Sequence, residues 1–256
     1  MTDYAAIHDL MTSLALEAGD TAVTQLRQGI ESQQKGHGID VVTEVDIACE
    51  LRMIERIQQS FPHHGITGEE HGVVCNADAP IQWLIDPLDG TNNYVLGMPM
   101  FGNCITVLEN GEPVVAAVHD SVSRITTSAY KGGGAWRHGH PTRIGSFPDL
   151  RRTTLSWTQG YVVPTTDAWV KGVIYDLEQT FKRVLRTWSP SIDWGLIAAG
   201  RVGAFGAWKN EAHDLLCGEL IVSEAGGEIW HDASGDLVIA GAPEVVAKVR
   251  EVVGLD

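Results

Sequence analysis

The sequence contains no run of about 18 apolar residues, the length a bilayer-spanning helix needs, so no membrane segment is expected. It also has no basic start leading into an apolar core. "MTDYAAIHDL" opens with an acid, which argues against a secretory leader and for a cytoplasmic protein. Cysteine is scarce: Cys49, Cys75, Cys104 and Cys217 stand far apart with no C-x-x-C pair. Reduced thiols are therefore expected, and neither a zinc site nor a redox pair. Positive charge is short as well, with 18 basic against 33 acidic residues and a formal net charge of -15. A field of that sign disfavours nucleic acid and anionic membrane as main partners. It would repel a small anionic substrate too, unless bound divalent cations reverse the potential locally.

What is present is enough for a substantial core. The chain has 256 residues, of which 44% are hydrophobic, sufficient for one large domain or two closely packed layers of sheet and helix. Ile7, Leu10, Met11, Leu14 and Ala18 recur at helical spacing and predict a helix over 4–28. A second helix is expected after Thr43, with Ile47, Leu51, Ile54 and Ile57 on its apolar side, ending before Pro62. Strands are expected at 82–85, 103–109, 113–119 and 125–129, with "ENGEP" as a hairpin turn. The turn-rich stretch 139–150 is the best boundary. Beyond it the pattern alternates: strands 153–157, 183–188, 203–208 and 237–240, helices 166–181, 191–200, 211–225 and 243–252. Such alternation predicts helix layers covering sheet.

Four acidic segments sit where an acid is structurally odd. "GITGEE" puts Glu69 and Glu70 straight after a short apolar strand, and "WLIDPLDGTNNY" puts Asp86 at a strand end and Asp89 at a glycine turn. "VVTEVD" puts Asp46 in the first turn of its helix, and "NEAHDLLCGEL" does the same for Asp214. Each has a bland reading. Thr43 with Asp46 suits a helix cap, Asp214 complements a helix dipole, and Glu70 suits solvent. An acid directly after "WLI" is harder to dismiss, because burial there is costly without a positive group. Oxygen ligands without supporting cysteines suit a hard cation such as Mg2+. Pro87 stiffens the link so that Asp86, the Leu88 carbonyl and Asp89 can face one point. Gly90 permits a tight turn that leaves the amides of Gly90 and Thr91 able to cradle a phosphate.

"GEE" at 68–70, "DPLDGTNNY" at 86–94 and Asp214 followed by "EAGG" ending at Gly227 resemble the two signatures of the inositol monophosphatase family. That family is part of the lithium-sensitive, magnesium-dependent phosphatase superfamily. The resemblance covers nearly the whole chain and implies a mixed α+β and α/β fold, layered α-β-α-β-α, in a protein that dimerises. It implies an N-terminal part, 1–145, carrying metal-binding acids, and a C-terminal part, 146–256, completing the site. By the same resemblance Glu69, Asp86 and the Leu88 carbonyl hold a first Mg2+, and Asp86, Asp89 and Asp214 a second. A weaker third lies near Glu69. Asp46 and Thr91 match the pair that activates the attacking water, Gly90 and Thr91 the phosphate-binding amides, and Lys35 a lysine that helps attract the anion. A solvated lysine in a glycine loop is the duller reading of Lys35.

The resemblance implies hydrolysis of a small phosphate monoester by a metal-activated water. Departures fall on the leaving-group side. His213 stands where many relatives have tryptophan, and Ala207 where inositol enzymes carry an acid. "RTWSPSID" replaces a glycine-serine or glycine-threonine followed by alanine. Lys209, Glu211 and His213 are the substrate-side candidates, His213 having a packed, backbone-bonded histidine as its alternative. Of eight tryptophans, Trp188 or Trp208 could flank a ring near the cleft. Inositol-type monoesters come first. Histidinol phosphate, sugar bisphosphates and 3'-phosphonucleotides are the alternatives, and a catalytically inactive regulatory module is the non-enzymatic one.

Overall fold

The computed structural model describes residues 2–28, 32–34 and 41–254. Helix α1 (Tyr4–Gln28) buries Ile7, Met11, Leu14, Ala15 and Ala18 along one stripe, as their spacing requires. Helix α2 (Glu44–Ser60) starts at a capping box in which the Thr43 side chain and Asp46 satisfy each other's end groups. Its buried stripe is Val45, Cys49, Met53 and Ile57. The expected stripe is half wrong: Ile54 and Ile57 are buried, but Ile47 and Leu51 are 39% and 51% exposed. Positions 47 and 51 lie two residues round from 45 and 49, about 200° on the helical wheel, so only one pair can dock. Strands β1 (Ser32–Gln34) and β2 (Val41–Thr43) pair antiparallel ahead of α2.

The first sheet has eight strands. They are β3 (Gly65–Gly68), β4 (Gly72–Cys75), β5 (Ile81–Asp89), β6 (Gly102–Glu109), β7 (Glu112–Asp120), β8 (Ile125–Tyr130), β9 (Gly134–Arg137) and β10 (His140–Thr142). Their order is β10-β9-β8-β7-β6-β5-β3-β4, with β3 and β5 the parallel pair. The β6–β7 hairpin turns on Asn110 and Gly111 at φ 53° and 88°, the positive values a two-residue turn needs. A short helix α3 (Thr91–Val95) interrupts the run between β5 and β6.

The second sheet is β11 (Thr154–Gln159), β12 (Arg183–Leu185), β13 (Ala204–Trp208), β14 (Glu228–His231) and β15 (Leu237–Gly241), in the order β12-β11-β13-β15-β14. Its helices are α4 (Ala168–Thr180), α5 (Pro190–Ala198), α6 (Ala212–Glu224) and α7 (Pro243–Val253). The expected strand 183–188 stops at Leu185, because Thr187 and Ser189 make side-chain bonds in the site instead of sheet pairs. Strands β4, β9, β10 and β14, absent from the sequence reading, are three or four residues long, too short to show a period.

Three apolar clusters define the layers. α1 and α2 cover one face of the first sheet, where Trp83, Ile85, Ile105 and Val115 are buried. Trp194 and Ile197 of α5 and Leu215 and Ile221 of α6 fill the space between Val118 on the first sheet and Phe205 on the second. α4 and α7 cover the far face through Val170, Leu177, Val245 and Val249. The order is α-β-α-β-α, the mixed layered fold expected. Each large side chain buried this way is worth about 1.5–3 kcal/mol against exposure.

A buried acid ties α2 to the turn after β3. The carboxylate of Glu50, fully buried, accepts the backbone N–H of Glu70 and of His71, both at 2.9 Å, and faces His71 Nδ1 at 2.6 Å. Gly68 must be glycine, since a Cβ there would lie 2.3 Å from the Glu50 carboxyl carbon. Glu50→Ala would orphan these donors and leave a void. It is expected to lower unfolding free energy by about 3 kcal/mol in urea titration, with Glu50→Gln losing less.

Candidate metal centre

Strand β5 runs past its expected end. Pairing with β6 continues from Asp86 opposite Cys104 to Asp89 opposite Gly102, three steps against two. The extra residue makes a bulge, and Pro87, which has no N–H for the ladder, sits inside it. The bulge is what brings two acids of one strand to one point. Leu88 N–H donates to Asp86 Oδ1 at 3.0 Å and fixes that carboxylate. Because β3 lies parallel to β5, Glu69 follows directly beside Asp86, its N–H bonded to the Ile85 carbonyl at 3.0 Å. Asp214 arrives from the first turn of α6, its own carbonyl accepting Trp194 Nε1–H at 2.7 Å.

Ligand atoms of Asp86, Asp89 and Asp214 lie within 4.8 Å of one another, and so do those of Glu69, Asp86 and His213. Asp86 belongs to both groups. His213 was expected on the substrate side; the structure puts it beside Glu69 and Asp86. Its ring nitrogens stay 3.8 Å from Asp214 Oδ1 and 3.7 Å from Glu211 Oε2, longer than hydrogen bonds.

Asp89 is the most tightly held. Its Oδ2 accepts Ser189 Oγ–H at 2.6 Å, Ser191 N–H at 2.7 Å and the Ser191 hydroxyl. With one oxygen taken by three donors, the other remains for a cation. The serines are in turn braced by Thr187, whose hydroxyl donates to buried Asp193 at 2.5 Å. Asn93 bonds the carbonyls of Met100 and Thr187, and Tyr94 reaches the Ala22 carbonyl at 2.9 Å, so α3 is pinned from three sides.

Thr91 and Asp46 do meet. Thr91 Oγ1 lies 3.1 Å from Asp46 Oδ1 and 2.8 Å from the Leu88 carbonyl, two acceptors for one hydroxyl proton. Asp46 Oδ2 is occupied by the N–H and hydroxyl of Thr43, so this residue caps its helix with one oxygen and meets Thr91 with the other. Gly90 has φ 82°, and a Cβ there would sit 3.0 Å from the Ser189 side chain. Gly90 and Thr91 open the first turn of α3, where backbone N–H groups have no helical partner. Both line the same cleft as the acids.

The electrostatics are one-sided. Burial raises Asp86 well above the ordinary carboxylate range, and Glu69, Asp89 and Asp214 push the same way. Burial raises Asp89 too, against the serine hydrogen bonds. Asp214 is pushed up to about 7 by burial, with His213 opposing and Asp89 and Glu69 adding. Asp46 rises to about 6, again chiefly by burial, while Thr43 and Thr91 pull it down. Buried acids whose neighbours are further acids need a cation or protons. All donors are oxygen apart from the His213 ring, so the set fits a hard divalent ion such as Mg2+.

On the substrate side Lys209 and Glu211 line the cleft, with Lys209 Nζ 3.7 Å from Asp236 and Glu211 largely exposed. Ala207 is buried in β13 and offers no ligand. Lys35 lies outside the described residues. Sequence reasoning missed Glu50, Ser189, Ser191 and Asn93 as supports. Asn93 stands inside the quoted "DGTNNY", and the two serines flank Pro190, but no spacing rule points from them to an acid a hundred residues away.

Comparison with known proteins gives the family. The chain is 35% identical over 226 residues to the Nus factor SuhB of Escherichia coli K12, covering 85% of this chain and 83% of that protein. It superposes on an inositol monophosphatase from Anabaena (Nostoc) with a TM-score of 0.85 and 26% identity, over 99% of this chain and 97% of that one. The extragenic suppressor protein suhB of Bartonella henselae shares the fold at a TM-score of 0.90 and 22% identity, over 97% of this chain and 98% of that one. A model described as the inositol monophosphatase family matches residues 3–254. The chain belongs to the inositol monophosphatase family.

Proposed function

We propose that the protein is a Mg2+-dependent hydrolase of small phosphate monoesters. The observation that carries this reading is the convergence of Glu69, Asp86, Asp89 and Asp214 beside the Thr91–Asp46 pair. Glu69, Asp86 and the Leu88 carbonyl would hold one ion, and Asp86, Asp89 and Asp214 the next, with a third near Glu69. Bound there, the ions supply Lewis-acid charge that eases ionisation of a water and neutralises the leaving oxygen.

The chain's own groups do the rest. The Thr91 hydroxyl donates a hydrogen bond to Asp46 Oδ1, which leaves its oxygen lone pair to accept one from the attacking water. Asp46, whose carboxyl burial pushes up to about 6 in the metal-free protein, is the group placed to act as base through Thr91. The Gly90 and Thr91 amides take phosphate oxygens and set the direction of attack. No side chain is required as a covalent nucleophile. Inositol-1-phosphate and histidinol phosphate are the reference esters, to be assayed beside fructose-1,6-bisphosphate and 3'-phosphoadenosine 5'-phosphate, with Mg2+ and with chelator. Several relatives carry the name Nus factor rather than that of an enzyme. Catalysis is nonetheless favoured here, because a binding module has no use for six site residues, Asp46, Glu69, Asp86, Asp89, Thr91 and Asp214, all retained in one cleft region.

Asp86 belongs to both ligand groups, so Asp86→Asn is expected to cost at least about a thousandfold in Mg2+-dependent kcat/KM. Thr91→Ala should cost about a hundredfold, mostly in kcat. Near-normal turnover by Asp86→Asn, with the fold verified by circular dichroism, would refute the reading.

The raised carboxyls also make a stability prediction. In the metal-free protein the folded state keeps protons on Asp46 and Asp214 up to pH about 6–7, whereas the unfolded chain releases them near 4. Metal-free stability must therefore fall as pH rises through that window. Mg2+ at millimolar concentration should raise Tm, and more so at pH 7.5 than at pH 5. Melting curves with EDTA and with Mg2+ at the two pH values check this; identical curves would count against bound cations.

A further inference from the structure

The lining of the cleft contains an anomaly that hydrolysis alone does not explain. Trp188 has φ 55°, the left-handed region, and is the bulkiest of the six non-glycine residues at positive φ among the described residues. Bulky side chains avoid that region, and such outliers persist only where neighbours over-determine them. Here they do. The Thr187 carbonyl is held by Asn93 Nδ2 at 2.7 Å, and the Ser189 hydroxyl is committed to Asp89. Between two locked residues the chain has to turn sharply, and a glycine would do so without strain. Tryptophan stands there instead, half-buried, lining the cleft.

Its ring is also built in. Trp188 lies nearly parallel to Tyr161, with centroids 6.3 Å apart and planes 17° apart, and the Arg186 guanidinium sits 5.0 Å from its centroid. Tyr161 is fixed in turn by Asn92 Nδ2–H donating to its hydroxyl at 2.6 Å. Tyr161 and its neighbour Val162 are 41% and 78% exposed, an apolar wall open to solvent beside a floor of acids. Trp208, the other tryptophan that could have flanked a ring, packs on Trp169 at 4.5 Å instead and does not line the cleft. Tyr161, Val162, Trp188 and Pro190 give the cleft a flat, mainly apolar wall, while its remaining polar lining, including Gln159 and Asn210, lies elsewhere in the same cleft.

Resting on the hydrolase reading, we infer that the leaving alcohol carries a planar aromatic ring, seated on the Tyr161–Trp188 wall, with Trp188 as its specificity-determining residue. Of the reference esters, histidinol phosphate and the phosphonucleotide have such a ring and inositol-1-phosphate has none.

The test uses three synthetic esters whose leaving groups are primary alkoxides of closely similar basicity: n-propyl, 3-cyclohexylpropyl and 3-phenylpropyl phosphate. With Mg2+, kcat/KM for the phenyl ester should exceed that for the propyl ester by about tenfold, chiefly through KM. The cyclohexyl ester should fall about threefold below the phenyl one. In Trp188→Gly, with folding verified by circular dichroism, the phenyl-to-propyl ratio should shrink to within about threefold; Trp188→Phe should keep most of it. A ratio within twofold of unity in the parent, or one unchanged in Trp188→Gly, overturns the inference and leaves hydrolysis standing. If no ester is turned over, the hydrolase reading fails. Calorimetric binding of the matching phosphonates in Mg2+ then still reads the ring preference, and equal affinities overturn it.

Discussion

Everything at this site depends on like charges being forced together out of water. Asp86 and Asp89 are almost fully buried, with Asp214 and Glu69 alongside, and the charges that act most on Asp86 all share its sign. A fold cannot hold such a group for its own stability, since each added carboxylate raises the cost of ionising the next. The arrangement becomes favourable once divalent positive charge is added. The same acids that leave the protein at -15 overall are then the means by which an anion can be attracted locally.

The scaffold answers that repulsion with directed bonds. One oxygen of Asp89 is saturated by Ser189 and Ser191, one oxygen of Asp46 by Thr43, and Asp86 is fixed by the Leu88 amide. Asp86 and Asp89 each keep one oxygen clear of these donors, and the second oxygen of Asp46 meets the Thr91 hydroxyl. Glu50 does the equivalent for the turn after Glu69, at one remove. Burial raises these pKa values and donated hydrogen bonds lower them, and the balance leaves Asp46 and Asp214 near neutrality, where small changes in occupancy matter most.

Much of this was legible from residues alone. An aspartate straight after "WLI" and acids in the first turns of two helices drew attention to the cluster, the alternation after residue 150 pointed to helix layers on sheet, and the five-layer order came from the family resemblance. The rest was hidden for identifiable reasons. Whether Ile47 or Cys49 faces the core is decided by what docks on α2, because the helix has apolar residues on two sides. The bulge that carries β5 on to Asp89 is a property of its pairing with β6 and has no local signature beyond Pro87. Ser189 and Ser191 look like ordinary turn residues until Asp89 arrives from another sheet. Trp188 could be suspected near a ring, yet its left-handed backbone is visible only in three dimensions.

The serine clasp on Asp89 links segments a hundred residues apart, and Asp214 comes later still along the chain. A ribosome therefore releases the strand with the first acids long before the groups that orient or complete them exist. The N-terminal half by itself lacks both the serine clasp and the acid of α6. The four acids stand together only once α6, packed between the two sheets, brings Asp214 to the end of β5.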